Sequence, residues 1–154
     1  MSNFITPLCY TTLVAEIHNI KNEQIPAIAD EISIARSHGD LRENAQYASA
    51  KERQRMIESR LNELETVIAT HTVVDISNKE FTTVSFGSNV EIEFDDNKAK
   101  KKFQILSDYD SDVSNGMISI NAPIAKAILG LSMGSEAVII INGVSRDVVI
   151  TNIF

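Results

Sequence analysis

The chain has 154 residues with no tryptophan, one cysteine, three prolines and six glycines, and its longest uninterrupted apolar run, Ala137 to Ile141, stops at Asn142. A bilayer crossing needs roughly 20 apolar residues, so no membrane span is predicted. With Cys9 alone there can be no internal disulfide, and Cys9 reads as a buried or inert thiol rather than a reactive one. His18, His38 and His71 are the only histidines, and none stands at zinc spacing from another ligand, which excludes a structural zinc site. The start, Met1-Ser2-Asn3-Phe4, lacks the basic, apolar and small-residue stretches of an export signal, so the protein is expected to stay in the cytoplasm. What remains, 44% hydrophobic and 23% charged residues, is the composition of a soluble globular chain of one ordinary domain or two small ones.

Positive charge is also scarce. Fourteen Lys and Arg stand against 21 Asp and Glu, a net −7, which excludes a protein that holds nucleic acid by bulk electrostatics. The exception is local: Arg36 to Arg60 holds Arg36, Arg42, Lys51, Arg53, Arg55 and Arg60 against Asp40, Glu43, Glu52 and Glu58. Two readings stand, a solvated helix face laced with i to i+4 pairs or a small basic patch with a phosphate to hold.

The chain falls into two textures, and the fold class is α+β. From Leu8 to Thr70 the only glycine is Gly39 and the only proline Pro26, and good helix formers dominate. Tyr47, Ala50, Gln54, Ile57, Leu61, Leu64 and Ile68 recur at alternating spacings of 3 and 4, the seam of a coiled coil. Upstream, Leu13, Ile17 and Ile20 are followed one residue out of phase by Ile28, Ile32 and Ala35. The slip brackets Pro26, where two helical runs or a kink are predicted. Only Ser37 to Arg42 separates the stripes, with Gly39 suited to end the first helix and Asp40 to cap the second, so the helices form an antiparallel hairpin. Arms of thirty-odd residues reach roughly 45 Å, too long and thin for a globular core. An intramolecular hairpin implies a monomer; the alternative, a dimerisation coiled coil, would show in the solution mass.

The division is placed after residue 75. From 76 to 154 the predicted strands are Thr82 to Phe86, Val90 to Phe94, Lys102 to Leu106, Met117 to Ile120, Ala137 to Ile141 and Val148 to Ile153, with hairpin turns at Asp95-Asp96-Asn97 and Asn142-Gly143. One helix is predicted from Pro123, at an N1 position, to Gly130. Met133-Gly134-Ser135 has no lysine partner and reads as a tight turn rather than a phosphate loop.

Asp40-Leu41-Arg42-Glu43, at the tip of the rod, carries two readings. Asp at N-cap with Glu at N3 is a capping box. Two carboxylates with room for water, ringed by Arg36, Arg42 and Lys51, are equally what a protein contributes to a weakly held Mg²⁺ whose other ligands are phosphates and water.

The run Ala35-Arg36-Ser37-His38-Gly39-Asp40-Leu41-Arg42-Glu43-Asn44-Ala45-Gln46-Tyr47, then Ala50-Lys51-Glu52 and Glu58-Ser59-Arg60-Leu61, resembles the tip of the bacterial transcript-cleavage factors, the GreA/GreB family. The resemblance continues in family order through Val74-Asp75-Ile76, Phe86-Gly87-Ser88-Asn89-Val90 and Gly116-Met117-Ile118-Ser119-Ile120-Asn121-Ala122-Pro123 to Gly130, and the acidic net charge resembles the GreA type. The resemblance implies residues 1–75 as the coiled-coil hairpin, with its tip at about 36–47, and 76–154 as an FKBP-like domain that docks on the rim of the secondary channel of bacterial RNA polymerase. It implies that the hairpin enters that channel and stimulates Mg-dependent cleavage of the backtracked nascent RNA 3′ end, lending ligands rather than acting as an enzyme itself. Carried onto this chain, Asp40 and Glu43 help hold the second catalytic Mg²⁺, bound only in the complex, and position the attacking water. Arg36 and Lys51 contact RNA, and Gly39, Leu41, Asn44 and Tyr47 support the tip, although Tyr47 lies on the seam and can equally be packing.

Three departures are visible. Cys9 stands where the family usually has glycine, Ser107-Asp108 replaces a usual glycine after the strand ending at Leu106, and Leu131 replaces a usual lysine. The alternatives to this function are an inhibitory relative that occupies the channel without promoting cleavage, which carries a more acidic tip, and an FKBP-like prolyl isomerase or chaperone, which needs an aromatic-lined pocket.

Overall fold

A computed structural model describes residues 3–39 and 44–154. The chain divides into two compact units, Tyr10–His71 and a unit formed by Met1–Cys9 with Thr72–Phe154, rather than into two consecutive stretches of sequence. Backbone pairing explains the arrangement: β1 (Phe4–Ile5) and β2 (Thr72–Val73) form a parallel pair, with Thr72 N–H on the Asn3 carbonyl and Val74 N–H on that of Ile5. Among the described residues no helix is long and apolar enough to cross a membrane.

The first arm runs through α1 (Pro7–Asn19), a π-helical turn (Ile20–Gln24) and α2 (Ile25–Ser37) without a break. The predicted interruption at Pro26 is thus a wide turn. Ile25 N–H bonds to the Ile20 carbonyl, five residues back, and the extra residue it accommodates is the slip read in the sequence. Leu13 and Ile20 before it, and Ile28, Ile32 and Ala35 after it, are all buried. The second arm is α3 (Ala45–Thr70), 26 residues and about 39 Å long. Ala50 and Leu64 of its predicted seam are buried and the others half-buried, while Val67, outside the predicted set, is buried too. The arms are antiparallel, since Ala35 meets Asn44 and Glu31 meets Arg53. Exposed ion pairs Lys21–Glu65 and Arg60–Glu16 also join the first arm to α3.

The β-rich unit is a five-stranded sheet in the order β5-β4-β3-β7-β6, built from β3 (Asn89–Phe94), β4 (Lys100–Leu106), β5 (Met117–Ser119), β6 (Glu136–Ile141) and β7 (Val144–Ile153). Only β4 and β5 are parallel. Inward residues alternate along β3, where Val90, Ile92 and Phe94 join Phe103, Ile105, Val148, Ile150 and Ile139 in one core. Helix α4 (Pro123–Ile128) starts at its proline as predicted and adds Ala125 and Ile128 to that core. The β6–β7 turn is Asn142-Gly143, with φ of 51° and 78°, the two positive angles that its residue types suggest. Complete pairing across this short turn extends β7 back to Val144, four residues before the predicted start.

Thr82 to Phe86, predicted as a strand, is none: it makes one isolated bridge, Thr83 to Ser132. Its apolar residues are buried for another reason. Val84 exchanges hydrogen bonds with the α4–β6 connection, donating to Leu131 and accepting from Gly130, after which Ser85 to Ser88 turn the chain.

Candidate functional site: the hairpin tip

Helix α2 ends as Gly39 allows. His38 N–H returns to the Ala35 carbonyl, Gly39 N–H to that of Arg36, and Gly39 sits at φ +106°. A Cβ there would meet nothing within 4 Å, so glycine is required by backbone conformation rather than by space.

The start of α3 departs from expectation. Its N-cap is Asn44, not Asp40: Asn44 is extended at φ −83°, ψ 92°, and its Oδ1 accepts from Tyr47 N–H at 3.0 Å. The capping box read from Asp40 and Glu43 is therefore not what begins this helix. A cap-forming residue directly before Ala45 was the available signal, and local residue type alone does not decide between Asp40 and Asn44. Asp40, Leu41, Arg42 and Glu43 themselves lie outside the described residues.

Tyr47 and Arg36 meet across the tip. The Arg36 guanidinium lies 5.8 Å from the centre of the Tyr47 ring, while the ring packs against the buried cluster of Ile28, Ile32 and Ala50. Tyr47 is thus both seam residue and platform for a tip cation.

Among the described bases of the positive stretch, Arg53 is paired with Glu31, Arg55 with Glu52, and Arg60 with Glu16 and Glu63. The carboxylates hold the Arg60 guanidinium well above its ordinary pKa, the hydrogen bonds it donates to Glu16 being the largest cause. Arg36 and Lys51 have no carboxylate partner among the described residues: Arg36 is on Tyr47, and Lys51 Nζ is 2.8 Å from Gln54 Oε1. The ion pairs of a solvated helix face are thus present for Arg53, Arg55 and Arg60, and among the described residues none is made by Arg36 or Lys51. The described residues contain no cluster of His, Cys, Asp and Glu able to hold a metal ion.

In the β-rich unit a pocket of about 480 Å³ is lined by Phe4, Phe86, Val84 and Ile120, with the two phenylalanine rings 5.6 Å apart. The sequence departures also find places here. Leu131 packs on the core. Cys9 and Ser107 converge on Asp110: Ser107 Oγ donates to Asp110 Oδ2 at 2.6 Å, as does Thr6 N–H at 3.3 Å, and Cys9 N–H donates to Thr6 Oγ1 at 3.1 Å. Burial first, then the charge of Asp110 and a hydrogen bond to it, push the Cys9 thiol from 9.0 up to about 12.

Comparison with known proteins covers both units. The family described as transcription elongation factor, N-terminal, matches residues 3–73, and that described as transcription elongation factor, GreA/GreB, C-term, matches residues 77–154. The transcription elongation factor GreA of Helicobacter hepaticus is 41% identical over 94% of this chain and 89% of its own length. That of Mesorhizobium japonicum is 43% identical over 81% of this chain and 80% of its own. The crystal structure of the GreA factor homolog 1 protein of Thermus thermophilus aligns with 100% of this chain and 99% of that one, at 20% identity and a TM-score of 0.47.

Proposed function

Because this chain belongs to the GreA/GreB family of transcription elongation factors, we propose that its hairpin tip delivers the carboxylates of Asp40 and Glu43 to the active centre of bacterial RNA polymerase. The protein is a transcription elongation factor that stimulates transcript cleavage. The β-rich unit docks at the rim of the secondary channel as a monomer in the cytoplasm, and the hairpin passes inward toward the backtracked RNA 3′ end.

The observation that carries this reading is the charge inventory of the arms. Arg53, Arg55 and Arg60 are neutralised by carboxylates, whereas Arg36 and Lys51, which flank residues 40–43 in sequence, have none among the described residues. In this reading these two side chains meet RNA phosphates. Arg36 is steadied by the Tyr47 ring, which limits the side-chain freedom it would lose on binding.

The donor set fits magnesium, since two carboxylates supply hard oxygen ligands and leave the remaining positions to phosphate and water. The chemistry an ion held there supplies is activation of water and neutralisation of charge at the phosphodiester. Asp40 and Glu43 supply oxygen ligands to it and orient the attacking water; Arg36 and Lys51 hold the extruded RNA backbone. The chain completes the polymerase's site and is not a nuclease by itself.

The test is a stalled, backtracked bacterial elongation complex with Mg²⁺. Added protein shortens the RNA from its 3′ end, and free RNA without polymerase stays intact. RNase activity on free RNA, or no shortening in the complex, overturns the reading.

A further inference from the structure

Strand β6 ends the five-stranded sheet, so one of its two sides has no strand beside it. The hairpin fixes which groups face that side. Across the two-residue turn at Asn142-Gly143, Ile141 and Val144 exchange hydrogen bonds, and the alternation of an antiparallel pair repeats this at Ile139 with Arg146 and Ala137 with Val148. The backbone N–H and C=O of Glu136, Val138 and Ile140 therefore point away from β7. The other side of β7 agrees: the carbonyl of Asp147, the residue opposite Val138, accepts the N–H of Asp95 at the end of β3.

The same three residues carry the exposed side chains of the strand. Val138 is 56% exposed and Ile140 61%, while Ile139 between them is buried. Edge strands are usually guarded by charges along their length, by proline or by a bulge, and in β6 the one charge is Glu136 at its start. The charge beside the edge has a single sign. Asp95, Glu136 and Asp147 line, with Ala137 and Val138, a hollow of about 260 Å³. Among the described residues the one ion pair made by these three carboxylates is that of Asp95 with Lys98, at 3.9 Å.

We propose that β6 is a docking edge for an extended segment of another protein, which adds as a sixth strand and sets apolar residues against Val138 and Ile140 and a lysine or arginine against Glu136 and Asp147. Main-chain hydrogen bonds supply affinity and the side chains specificity. A second copy of this chain is the weaker occupant, because it brings the same carboxylates and a net charge of −7. The inference goes beyond cleavage at the hairpin tip and stands independently of it.

The probe is a blocked peptide, Thr-Val-Thr-Ile-Thr-Lys-Thr, whose antiparallel alignment sets Val, Ile and Lys against Ile140, Val138 and Glu136. It is titrated into the full chain and followed by backbone amide NMR and hydrogen exchange. Shifts are expected along β6 and β7, with slowed exchange at the N–H groups of Glu136, Val138 and Ile140. Methylating the peptide nitrogen of Ile, which removes a main-chain donor, or replacing Lys by Glu should weaken binding about tenfold. Glu136→Lys, a change at an exposed strand end, should reverse the preference so that the Glu peptide binds better than the Lys peptide. No binding, shifts elsewhere on the protein, or equal binding of the methylated peptide overturns the proposal. So does an unchanged preference in a folded Glu136→Lys variant. A solution mass of the peptide-free protein that rises with concentration and returns to that of a monomer in Val138→Lys assigns the edge to a second copy, which also overturns it.

Discussion

The helical unit and the β-rich unit solve the burial problem differently. In the sheet, Ile92, Ile105 and Ile150 are completely enclosed, with Phe86, Phe94 and Phe103 around them. A two-helix arm has no third side, so most of its seam on α3 is half-buried, its tip is closed with alanines at 35 and 50, and exposed ion pairs tie the arms together. Stability is concentrated in one unit and reach in the other. Small buried side chains at 35 and 50 let the two arms approach closely there.

The contrast can be broken first in the core. Ile92→Ala should cost about 2–5 kcal/mol of folding free energy, against about 1–2 kcal/mol for half-buried Ile57→Ala in the arm. Urea titrations that give equal losses at the two sites would show that the arm is as tightly packed as the sheet. Next come the tip carboxylates. Asp40→Ala or Glu43→Ala should lower stimulated cleavage by two or more orders of magnitude with polymerase binding retained. Because Asn44 caps α3, neither change removes that cap, and melting should stay close to the parent. Normal cleavage by either variant removes that residue from the proposed chemistry.

Arg36→Ala and Lys51→Ala should each reduce cleavage several-fold to tens-fold, weaken crosslinking of the RNA 3′ end to the factor, and resist rescue by added Mg²⁺. Parental crosslinking would return both residues to a solvated helix face. The Cys9 thiol gives a smaller effect in the β-rich unit. Its folded-state pKa, about 12, lies above the ordinary 9.0, so its contribution to stability is complete below pH 9 and is lost as pH rises toward 12. A thiol reagent at pH 8 should label Cys9 only after denaturation, and labelling of the native protein would contradict its burial. The smallest effect is Arg53→Ala, which breaks an exposed pair with Glu31 and should change stability by about 0–1 kcal/mol.

Periodicity made the seam, the slip around Pro26, the Asn142-Gly143 turn and the α4 start legible, because each depends on residues close in sequence. What escaped depends on long-range partners or on loop length. The slip could be absorbed by a break, a kink or a wide turn, and the choice of a π-helical turn follows from a continuous helix having to keep both Ile20 and Ile28 on the seam. Thr82 to Phe86 has the composition of a strand, but the bonds of Val84 go to Gly130 and Leu131, residues no local pattern could nominate. Phe4 likewise reads as an unremarkable N-terminal residue until β1 pairs with β2 and places its ring beside Phe86. At the tip, Gly39 was legible as a helix stop and Arg36 and Lys51 as bases, whereas the lack of a carboxylate partner for either base among the described residues and the bond from Asn44 to Ala35 depend on contacts between the arms.

The β1–β2 pair has a polymer-physics consequence. It joins residues on either side of the entire stretch from Thr6 to His71, and were that stretch a random coil, closing it would cost about 4 kcal/mol of chain entropy in the length-dependent part alone. An antiparallel hairpin returns the chain to the end from which it set out, so most of that cost is met when the helices form. Two hydrogen-bonded residues per strand then suffice to seat the N-terminus, and unzipping the arms raises the entropic load on that short ladder.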